Sequence, residues 1–270
     1  MHRFAGYFMH LKKLNFVNKL CRWLTKGRDR VYSMHDSMDR SDPEKEGNSM
    51  ITTAALYDLS KTMAGEYLKN FEYPWQALSG IKNMVLSLGA TLGDAYTEVQ
   101  SQVWIHKTAK IAPTAFLGAP CIIGAGTEIR HCAFIRGSAL VGENCVVGNS
   151  VELKNVILFD GVQVPHFNYV GDSILGYKAH MGAGAVTSNV KSDKTLVVVK
   201  QGEERMETGL KKFGAMLGDF VEVGCNSVLN PGTIVGRHSN IYPTSCVRGV
   251  VPDYCIWKTG GIIVKKRGKD

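Results

Sequence analysis

Hydrophobic residues recur at every sixth position along much of the chain. The series is mostly aliphatic and reads Ile105, Ile111, Leu117, Ile123, Ile129, Ile135, Val141, Val147, Leu153, Phe159 and Pro165. Four positions after each comes a second residue that is mostly small, for example Ala109, Ala115 and Cys121. A period of six matches neither an amphipathic helix nor an alternating strand. It predicts short flat strands joined by tight corners and stacked coil on coil, which is an all-β parallel β-helix of hexapeptide repeats.

The six-residue pattern slips by one residue after Pro165 and is interrupted between about 187 and 216. It then resumes in phase with Leu217, Val223, Leu229, Val235, Ile241 and Val247. Because the repeat returns in phase, we expect the segment 187–216 to loop out of the solenoid. Long excursions of this kind often act as functional lids, and a plain insertion is the alternative.

Upstream of the repeats, residues 50–102 carry a helical pattern. One predicted helix follows Asp58 or Ser60, and a second begins at Pro74, a residue favoured in the first helical turn. Their apolar positions are Leu59, Met63, Tyr67 and Phe71 in the first and Leu78, Ile81, Val85 and Leu88 in the second. The predicted organisation is a helical segment at 50–102, a β-helix at 103–252 and a C-terminal tail at 253–270.

The first 49 residues are predicted to form a basic amphipathic or disordered extension. Apolar residues at helical spacing alternate with lysines and arginines over residues 1–28, and a polar stretch follows at 33–49. Three interpretations remain open for this extension: a helix on a membrane surface, an organelle-targeting segment, or a non-native leader with the true start at Met50.

Composition narrows the class of protein. The hydrophobic fraction of 44% and charged fraction of 21% are those of an ordinary soluble globular protein. Residues 1–49 hold ten Lys and Arg against six Asp and Glu, which is +4 of the net +8, so the rest is only mildly basic and nucleic acid is not indicated. Seven cysteines without a CxxC pair indicate a reducing, cytoplasmic setting. No apolar run approaches the ~18 residues that span a bilayer.

Two cations share an outward position in the predicted solenoid. Arg136 and Lys154 are eighteen residues apart, which places them on adjacent coils roughly 4.8 Å apart. Stacked like charges repel, so a bridging anion such as phosphate would account for the pair. Two solvated side chains that splay apart are the alternative.

The stretch QVPHFNYVGD at 163–172 departs from the repeat. His166 occupies an outward position, and Tyr169 stands where other repeats have a small residue. In the stacking frame Tyr169 lies beside Glu152, so five outward residues are predicted to converge on two coils: Arg136, Glu152, Lys154, His166 and Tyr169. A histidine is the natural general base near neutral pH, and Glu152 could orient it. A surface histidine beside unrelated charges is the alternative.

The run ELKNVILFDGVQVPHFNYVGDSILGYKAHMGAGAVTSN at 152–189 resembles the acetyltransferase domain of the bifunctional bacterial glucosamine-1-phosphate acetyltransferase / N-acetylglucosamine-1-phosphate uridyltransferase. The match is specific over about 129–190 and general over 103–252. The resemblance implies a left-handed β-helix and a homotrimer with sites shared between subunits. It implies His166 as the base that activates the sugar amine. The remaining matched positions are Arg136 and Lys154 for the sugar phosphate, Tyr169 for the sugar, and Glu152 and Asn189 as further site residues.

The same resemblance places an acetyl-CoA groove at the MGAG turn, with Ala183 as the contacting residue, and Cys225 is assigned to this groove as well. Several positions depart from the family. His180 replaces the usual Asn, which leaves the choice of sugar open, and Lys194 is preferred over Lys191 as the loop lysine. The loop is longer, and the uridyltransferase half is absent.

The expected activity is direct acetyl transfer from acetyl-CoA to the amine of an amino-sugar 1-phosphate, with a role in UDP-N-acetylglucosamine biosynthesis. No metal is expected to be required, and the spacing of His131, His166 and His180 does not form a convincing zinc set. Two alternatives remain open. One is a non-catalytic subunit that binds a separate nucleotidyltransferase through residues 50–102, and the other is an acetyltransferase for a different acceptor. Glucosamine and galactosamine phosphates are not distinguished.

Overall fold

A parallel β-helix makes up most of the computed structural model, which describes residues 51–267. Its strands succeed one another around three faces. Face 1 comprises Val103–His106, Cys121–Ile123, Ala139–Val141, Ala215–Leu217, Thr233–Val235 and Val250–Val251. Face 2 comprises Lys110–Ile111, Glu128–Ile129, Val146–Asn149, Gln163–His166, His180–Met181, Glu222–Val223, Asn240–Ile241 and Cys255–Lys258. Face 3 comprises Phe116–Leu117, Phe134–Ile135, Val186–Thr187, Val228–Leu229 and Cys246–Val247.

Two longer strands, Glu152–Leu158 and Tyr169–Leu175, each run from face 3 onto face 1. They turn at Asn155 and Asp172, which have φ values of 54° and 47°. Asn and Asp adopt this left-handed conformation more readily than other residues with a Cβ. We call this edge, where face 3 passes to face 1, the 3–1 corner. The edge where face 2 passes to face 3 is the 2–3 corner.

The hexapeptide prediction is confirmed by the strand register and by burial. Cα partners on the first coils are eighteen residues apart, for example Val103 with Cys121 and Cys121 with Ala139, and the interval is seventeen on the central coils. The repeat-leading side chains from Ile123 to Leu153 are at most 1% exposed. Burial of these aliphatic side chains is the main stabilising term, roughly 1.5–3 kcal/mol each. In the first coil Ile105, Ile111 and Leu117 are only half-buried, because that coil lies at one end of the solenoid and is not covered by a further coil.

The slip in the pattern lies earlier than predicted: Leu153 pairs with Ile135 eighteen residues before it, but Leu158 pairs with Val141 only seventeen residues before it. Val164, not Pro165, points into the core, and it pairs with Val147 seventeen residues before it. The backbone of Pro165 passes directly against Gly148, where an added Cβ would lie 1.5 Å from the Pro165 carbonyl oxygen. Glycine is required at this position because no side chain fits between the two coils.

The helical segment before the solenoid consists of short pieces. They are α1 (Thr53–Leu56), a 3₁₀ turn at Leu59–Lys61, α2 (Gly65–Leu68), a 3₁₀ helix at Pro74–Gly80 and α3 (Ile81–Gly89). Their apolar side chains are buried against the β-helix; the Trp75 ring stacks on Phe213 at 5.8 Å and the Tyr57 ring packs 5.0 Å from Phe159. The fold class predicted from the sequence, a parallel β-helix preceded by a short helical segment, is confirmed.

Antiparallel strands lie at both ends of the solenoid. Tyr96–Gln100 pairs with Val103–His106, and Ile262–Lys265 pairs with Cys255–Lys258. These pairings cover strand edges that would otherwise be open to other chains. The predicted basic amphipathic extension at 1–49 lies outside the described residues. Within residues 51–267, no helix is long and apolar enough to cross a membrane.

The excursion at about 187–216 contains ordered structure. Val198–Gln201 and Glu204–Glu207 form an antiparallel hairpin. The hairpin leaves the solenoid at the 3–1 corner and packs along that corner towards the C-terminal coils. Its inner side chains Val197 and Val199 are buried, and so is Phe213 at its base.

Candidate active site

The Asp172 carboxylate is the centre of a polar cluster at the 3–1 corner. Its side chain is 5% exposed and accepts a hydrogen bond from Lys154 Nζ at 2.9 Å to each oxygen. The amide groups of Asn155 and Asn189 donate to the same carboxylate at 2.9 and 2.5 Å. A buried carboxylate is tolerated only when its oxygens are satisfied in this way. The cluster therefore holds the Lys154 ammonium and the Asn189 amide in one fixed arrangement.

Tyr169 joins this cluster from the side of face 3. The Asn189 amide donates to the Tyr169 hydroxyl oxygen at 3.2 Å, and the Tyr169 ring lies over Gly171. A Cβ at Gly171 would come within 2.4 Å of that hydroxyl, so glycine makes room for the ring. Burial raises the pKa of Tyr169, and the carboxylates of Asp172 and Glu152 add to the effect. The phenol is therefore held neutral, with a proton to donate.

Arg136 and Glu152 form the outer part of the site. Arg136 Nη1 lies 2.9 Å from Glu152 Oε1, with the two side chains 46% and 35% exposed. Glu152 is the Cα partner of Tyr169 on the next coil. The predicted stacking of Arg136 and Lys154 on adjacent coils is present, but each cation has its own carboxylate. The repulsion that suggested a bridging anion is thus already offset within the chain.

Asp172 was missed in the sequence analysis although a signal was present. It follows Lys154 by eighteen residues, the same interval that separates Lys154 from Arg136. The interval brings Asp172 to within one residue of the position beside Lys154, because the shorter coil makes Gly171 the Cα partner of Lys154.

His166 lies at the end of its face 2 strand, at the 2–3 corner. Its side chain is exposed, and its imidazole makes no hydrogen bond or ion pair within residues 51–267. Its backbone N–H donates to Asn168 Oδ1 at 3.1 Å, and its carbonyl oxygen accepts from the Gly184 N–H at 3.0 Å. Glu152 belongs to the preceding coil and faces Arg136, so the predicted pairing of Glu152 with His166 is not formed in this arrangement.

Asn168 is a positioning residue that the sequence analysis did not single out. Its side chain is buried, and its amide donates to the carbonyl oxygens of Gly182 and Ala185 at 2.8 and 3.0 Å. Together with the bond between its Oδ1 and the His166 N–H, these contacts tie the histidine to the MGAG turn of the next coil.

The two predicted cofactor residues lie next to each other along the 2–3 corner. The Ala183 carbonyl oxygen accepts from the Asn226 N–H at 2.8 Å, and the Cys225 carbonyl oxygen accepts from the Thr244 N–H at 2.8 Å. A Cβ on Gly182 would lie 2.7 Å from Cys225 N, so the glycine lets the coils approach closely. His166, the MGAG turn and Cys225 thus follow one another on successive coils along a single edge.

The remaining predicted site residues lie apart from the cluster. His180 is on face 2, where its Nδ1 lies 2.7 Å from Glu222 Oε2. Lys194 is exposed at the start of the excursion with φ at 56°, and Lys191 forms an ion pair with Asp193 at 3.4 Å. His131 contacts Thr114 at 2.9 Å. Across residues 51–267, no group of three or more His, Cys, Asp or Glu side chains is placed to hold a metal ion.

No protein-family model matches the chain. Among curated proteins, a bifunctional GlmU protein of Methanococcus aeolicus is 30% identical over 208 residues, which cover 75% of this chain and 50% of that protein. A bifunctional sugar-1-phosphate nucleotidylyltransferase/acetyltransferase of Sulfurisphaera tokodaii is 29% identical over 185 residues, or 67% of this chain and 46% of its own. This chain spans about half the length of these relatives.

A solved structure is also similar. A variant of AntD, an N-acyltransferase from Bacillus cereus, in complex with dTDP-4-amino-4,6-dideoxyglucose and coenzyme A, aligns over 62% of this chain and 82% of its own at 16% identity and a TM-score of 0.34. The β-helix and its register place the chain among the hexapeptide-repeat proteins. Within that class, its sequence is similar to bifunctional sugar-1-phosphate nucleotidylyltransferase/acetyltransferases, as the resemblance indicated.

Proposed function

We propose that the chain is an acetyl-CoA-dependent acyltransferase that N-acetylates an amino-sugar 1-phosphate. One observation carries this proposal: the cluster of Lys154, Asp172, Asn189 and Tyr169 lies on the coils that also carry His166 and the MGAG turn. The polar cluster at the 3–1 corner and the exposed imidazole at the 2–3 corner therefore flank face 3 of these coils, and the imidazole shares its edge with the MGAG turn. The similarity to sugar-1-phosphate nucleotidylyltransferase/acetyltransferases supports the same class of substrate.

The sugar phosphate is proposed to bind between Arg136 and Lys154. The Arg136 guanidinium is nearly half exposed and makes one bond to Glu152, so its other N–H donors face outward. A phosphate dianion competes well with a single exposed carboxylate contact, because a guanidinium binds phosphate with two parallel hydrogen bonds. We propose that the phosphate displaces Glu152 from Arg136. Glu152 is then free to stabilise positive charge on the amine or on His166.

The chemical step is proposed to be a direct attack. The neutral amine adds to the thioester carbonyl carbon, the C–S bond breaks, and CoA leaves as the thiolate. His166 takes the proton that the amine nitrogen loses and returns it to the sulfur. A backbone N–H of the MGAG turn stabilises the oxyanion of the tetrahedral intermediate. Tyr169 and Asn189 hold the sugar, which converts a bimolecular encounter into a positioned reaction.

A homotrimer in the cytoplasm is the proposed assembly and location. The Phe116 and Phe134 rings pack on each other at 5.5 Å on face 3, and 58% and 42% of these residues remain exposed. Exposed aromatic pairs of this kind favour a subunit contact. In such a trimer we propose that His180 and Lys194, which lie outside the cluster of their own chain, contact the sugar bound by a neighbouring subunit.

The test is release of CoA from acetyl-CoA with glucosamine-1-phosphate and with galactosamine-1-phosphate. We expect His166→Ala to lower kcat at least about 100-fold, the usual contribution of a general base. His131→Ala is the matched control, since His131 is also exposed and lies two coils earlier on the same edge. It should retain full turnover. A trimer with no turnover on either sugar would overturn the proposal and favour a subunit that binds a separate nucleotidyltransferase.

A further inference from the structure

A cationic pocket lies between the hairpin and the last coils of the solenoid, away from the proposed active site. Its volume is about 340 Å³, within the size range of small-molecule sites. The charged side chains that line it are Lys191, Lys200, Arg205, Arg248 and Glu207. Four cations thus face one carboxylate.

The cations of the hairpin are placed where they repel each other. Lys200 and Arg205 are direct cross-strand partners, an arrangement that is unfavourable for like charges. In the part of the chain that the structure describes, neither of them forms an ion pair, and the same holds for Arg248. This contrasts with Arg136 and Lys154, each of which has a carboxylate partner.

Close contacts between backbone segments fix the position of the hairpin wall of the pocket. A Cβ on Gly249 would lie 2.6 Å from the Lys200 carbonyl oxygen, and one on Gly232 would lie 2.7 Å from Val197 Cγ1. The strand that carries Lys200 therefore rests directly on the 3–1 corner, and its neighbour Val199 is buried beneath it. The unpaired cations are consequently presented by a rigid strand, which limits the entropy lost when a ligand binds.

The pocket is distinct from the sugar cluster but lies on the same edge. Arg248 follows Val247, which stacks on Leu229 and through it on Thr187 in the ladder of face 3. Along this ladder Arg248 and Lys154 are separated by four strand spacings, or roughly 19 Å. Lys191, which lines the pocket, lies close to the sugar cluster in the chain. It comes two residues after Asn189, whose side-chain amide contacts Asp172.

We propose that this pocket binds a diphosphate group. Three cations without an ion-pair partner in the described part of the chain, Lys200, Arg205 and Arg248, match an anion that carries more than one charge, and the arginine guanidinium fits phosphate oxygens with paired hydrogen bonds. The diphosphate could belong to coenzyme A, in which case the assignment rests on the proposed function, or to a free nucleoside diphosphate.

Isothermal titration of the full chain with inorganic diphosphate tests the pocket without any turnover measurement. The double variant Lys200→Gln/Arg205→Gln should weaken the affinity at least about tenfold, since two charge-assisted bonds are lost. Lys211→Gln/Lys212→Gln is the matched control, because it removes the same charge from exposed residues of the same excursion that do not line the pocket. Arg248→Gln, a change on the solenoid side, should weaken binding as well.

The control distinguishes a site from a general attraction of anions. Equal weakening in the control pair, unchanged affinity in the pocket variants, or no measurable binding of diphosphate would each overturn the proposal. Competition between diphosphate and coenzyme A would identify the cofactor as the source. Simultaneous binding of both would instead identify a separate nucleotide site. Because the experiment measures binding, it remains valid even if the chain has no acetyltransferase activity.

Discussion

The ammonium of Lys154 lies 2.9 Å from both oxygens of the nearly buried Asp172 carboxylate. Asp172 also adopts the left-handed conformation that turns the strand from face 3 onto face 1. The same residue therefore shapes the corner of the solenoid and orients three polar side chains of the proposed site. Loss of its carboxylate should affect stability and substrate binding together.

Asp172→Ala is expected to lower the free energy of unfolding by about 2–3 kcal/mol. The substitution leaves the charged Lys154 side chain without its partner in a largely desolvated environment. The energetic penalty is reduced because 24% of the Lys154 side chain is exposed to solvent. Urea unfolding measures the change. Asp193→Ala breaks the exposed pair with Lys191 and should cost less than about 1 kcal/mol. Similar losses in the two variants would contradict the structural role given to Asp172.

Gly148→Ala should destabilise the fold by about 3 kcal/mol or more. The added methyl would meet the Pro165 backbone, which cannot move without separating two coils. Gly93→Ala is the control, since nothing lies within 4 Å of a Cβ at that position. Thermal or urea unfolding of the two variants should differ clearly. If Gly148→Ala left the free energy of unfolding nearly unchanged, these two coils would not be packed as described.

Coenzyme A should protect Cys225 from alkylation. Within residues 51–267, Cys132, Cys225 and Cys246 are exposed, and of these three Cys225 adjoins the MGAG turn. Iodoacetamide labelling followed by peptide mass mapping should show slower modification of Cys225 when the cofactor is present. Cys132, several coils away at the same corner, should label at an unchanged rate. If Cys225 labels equally fast with and without coenzyme A, the predicted groove does not run past it.

Alkaline solution should weaken the fold through two buried thiols. Burial raises the pKa of Cys121 and of Cys145 to about 12, from 9.0 for an unperturbed thiol. A group whose pKa is higher in the folded state stabilises the fold below its unfolded pKa and loses that contribution as pH rises towards the folded value. Stability should therefore decline above about pH 9, by roughly 2–3 kcal/mol per thiol at pH 11.

Urea unfolding between pH 8 and 11 measures this decline. The variant Cys121→Ala/Cys145→Ala provides the comparison, because alanine is small enough for both corners and does not titrate. Its stability should vary less steeply with pH than that of the native chain. Parallel pH curves would mean that other groups cause the alkaline loss.

Much of the fold could be predicted from the sequence because the β-helix is a local rule repeated many times. Each hexad places one aliphatic side chain inside, as at Ile129, Ile135 and Val141, and each is buried. The interval of eighteen residues also located Arg136, Glu152 and Lys154 relative to one another. The same interval brings Asp172 only to within one residue of its position, since the shorter coil makes Gly171 the Cα partner of Lys154.

The details that were missed depend on contacts between segments far apart in the chain. The slip lies between Leu153 and Val156, where the corner at Lys154 and Asn155 is one residue shorter than the corner on the coil before it. The packing of the hairpin could not be predicted from spacing, because its buried Val197 and Val199 acquire their partners only on the solenoid surface. Asn168 reads as an ordinary corner residue until the MGAG turn of the next coil lies against it.

The sequence by itself determined the coil period and most of the inward and outward positions, since both follow from spacing along a regular solenoid. Only the tertiary structure decided which charges pair, that Glu152 faces Arg136 and that three cations of the hairpin pocket remain without carboxylates. Which side chains become partners depends on differences of a few ångströms. These differences come from the geometry of each corner and from the excursion that folds back on the solenoid, and the six-residue repeat encodes neither.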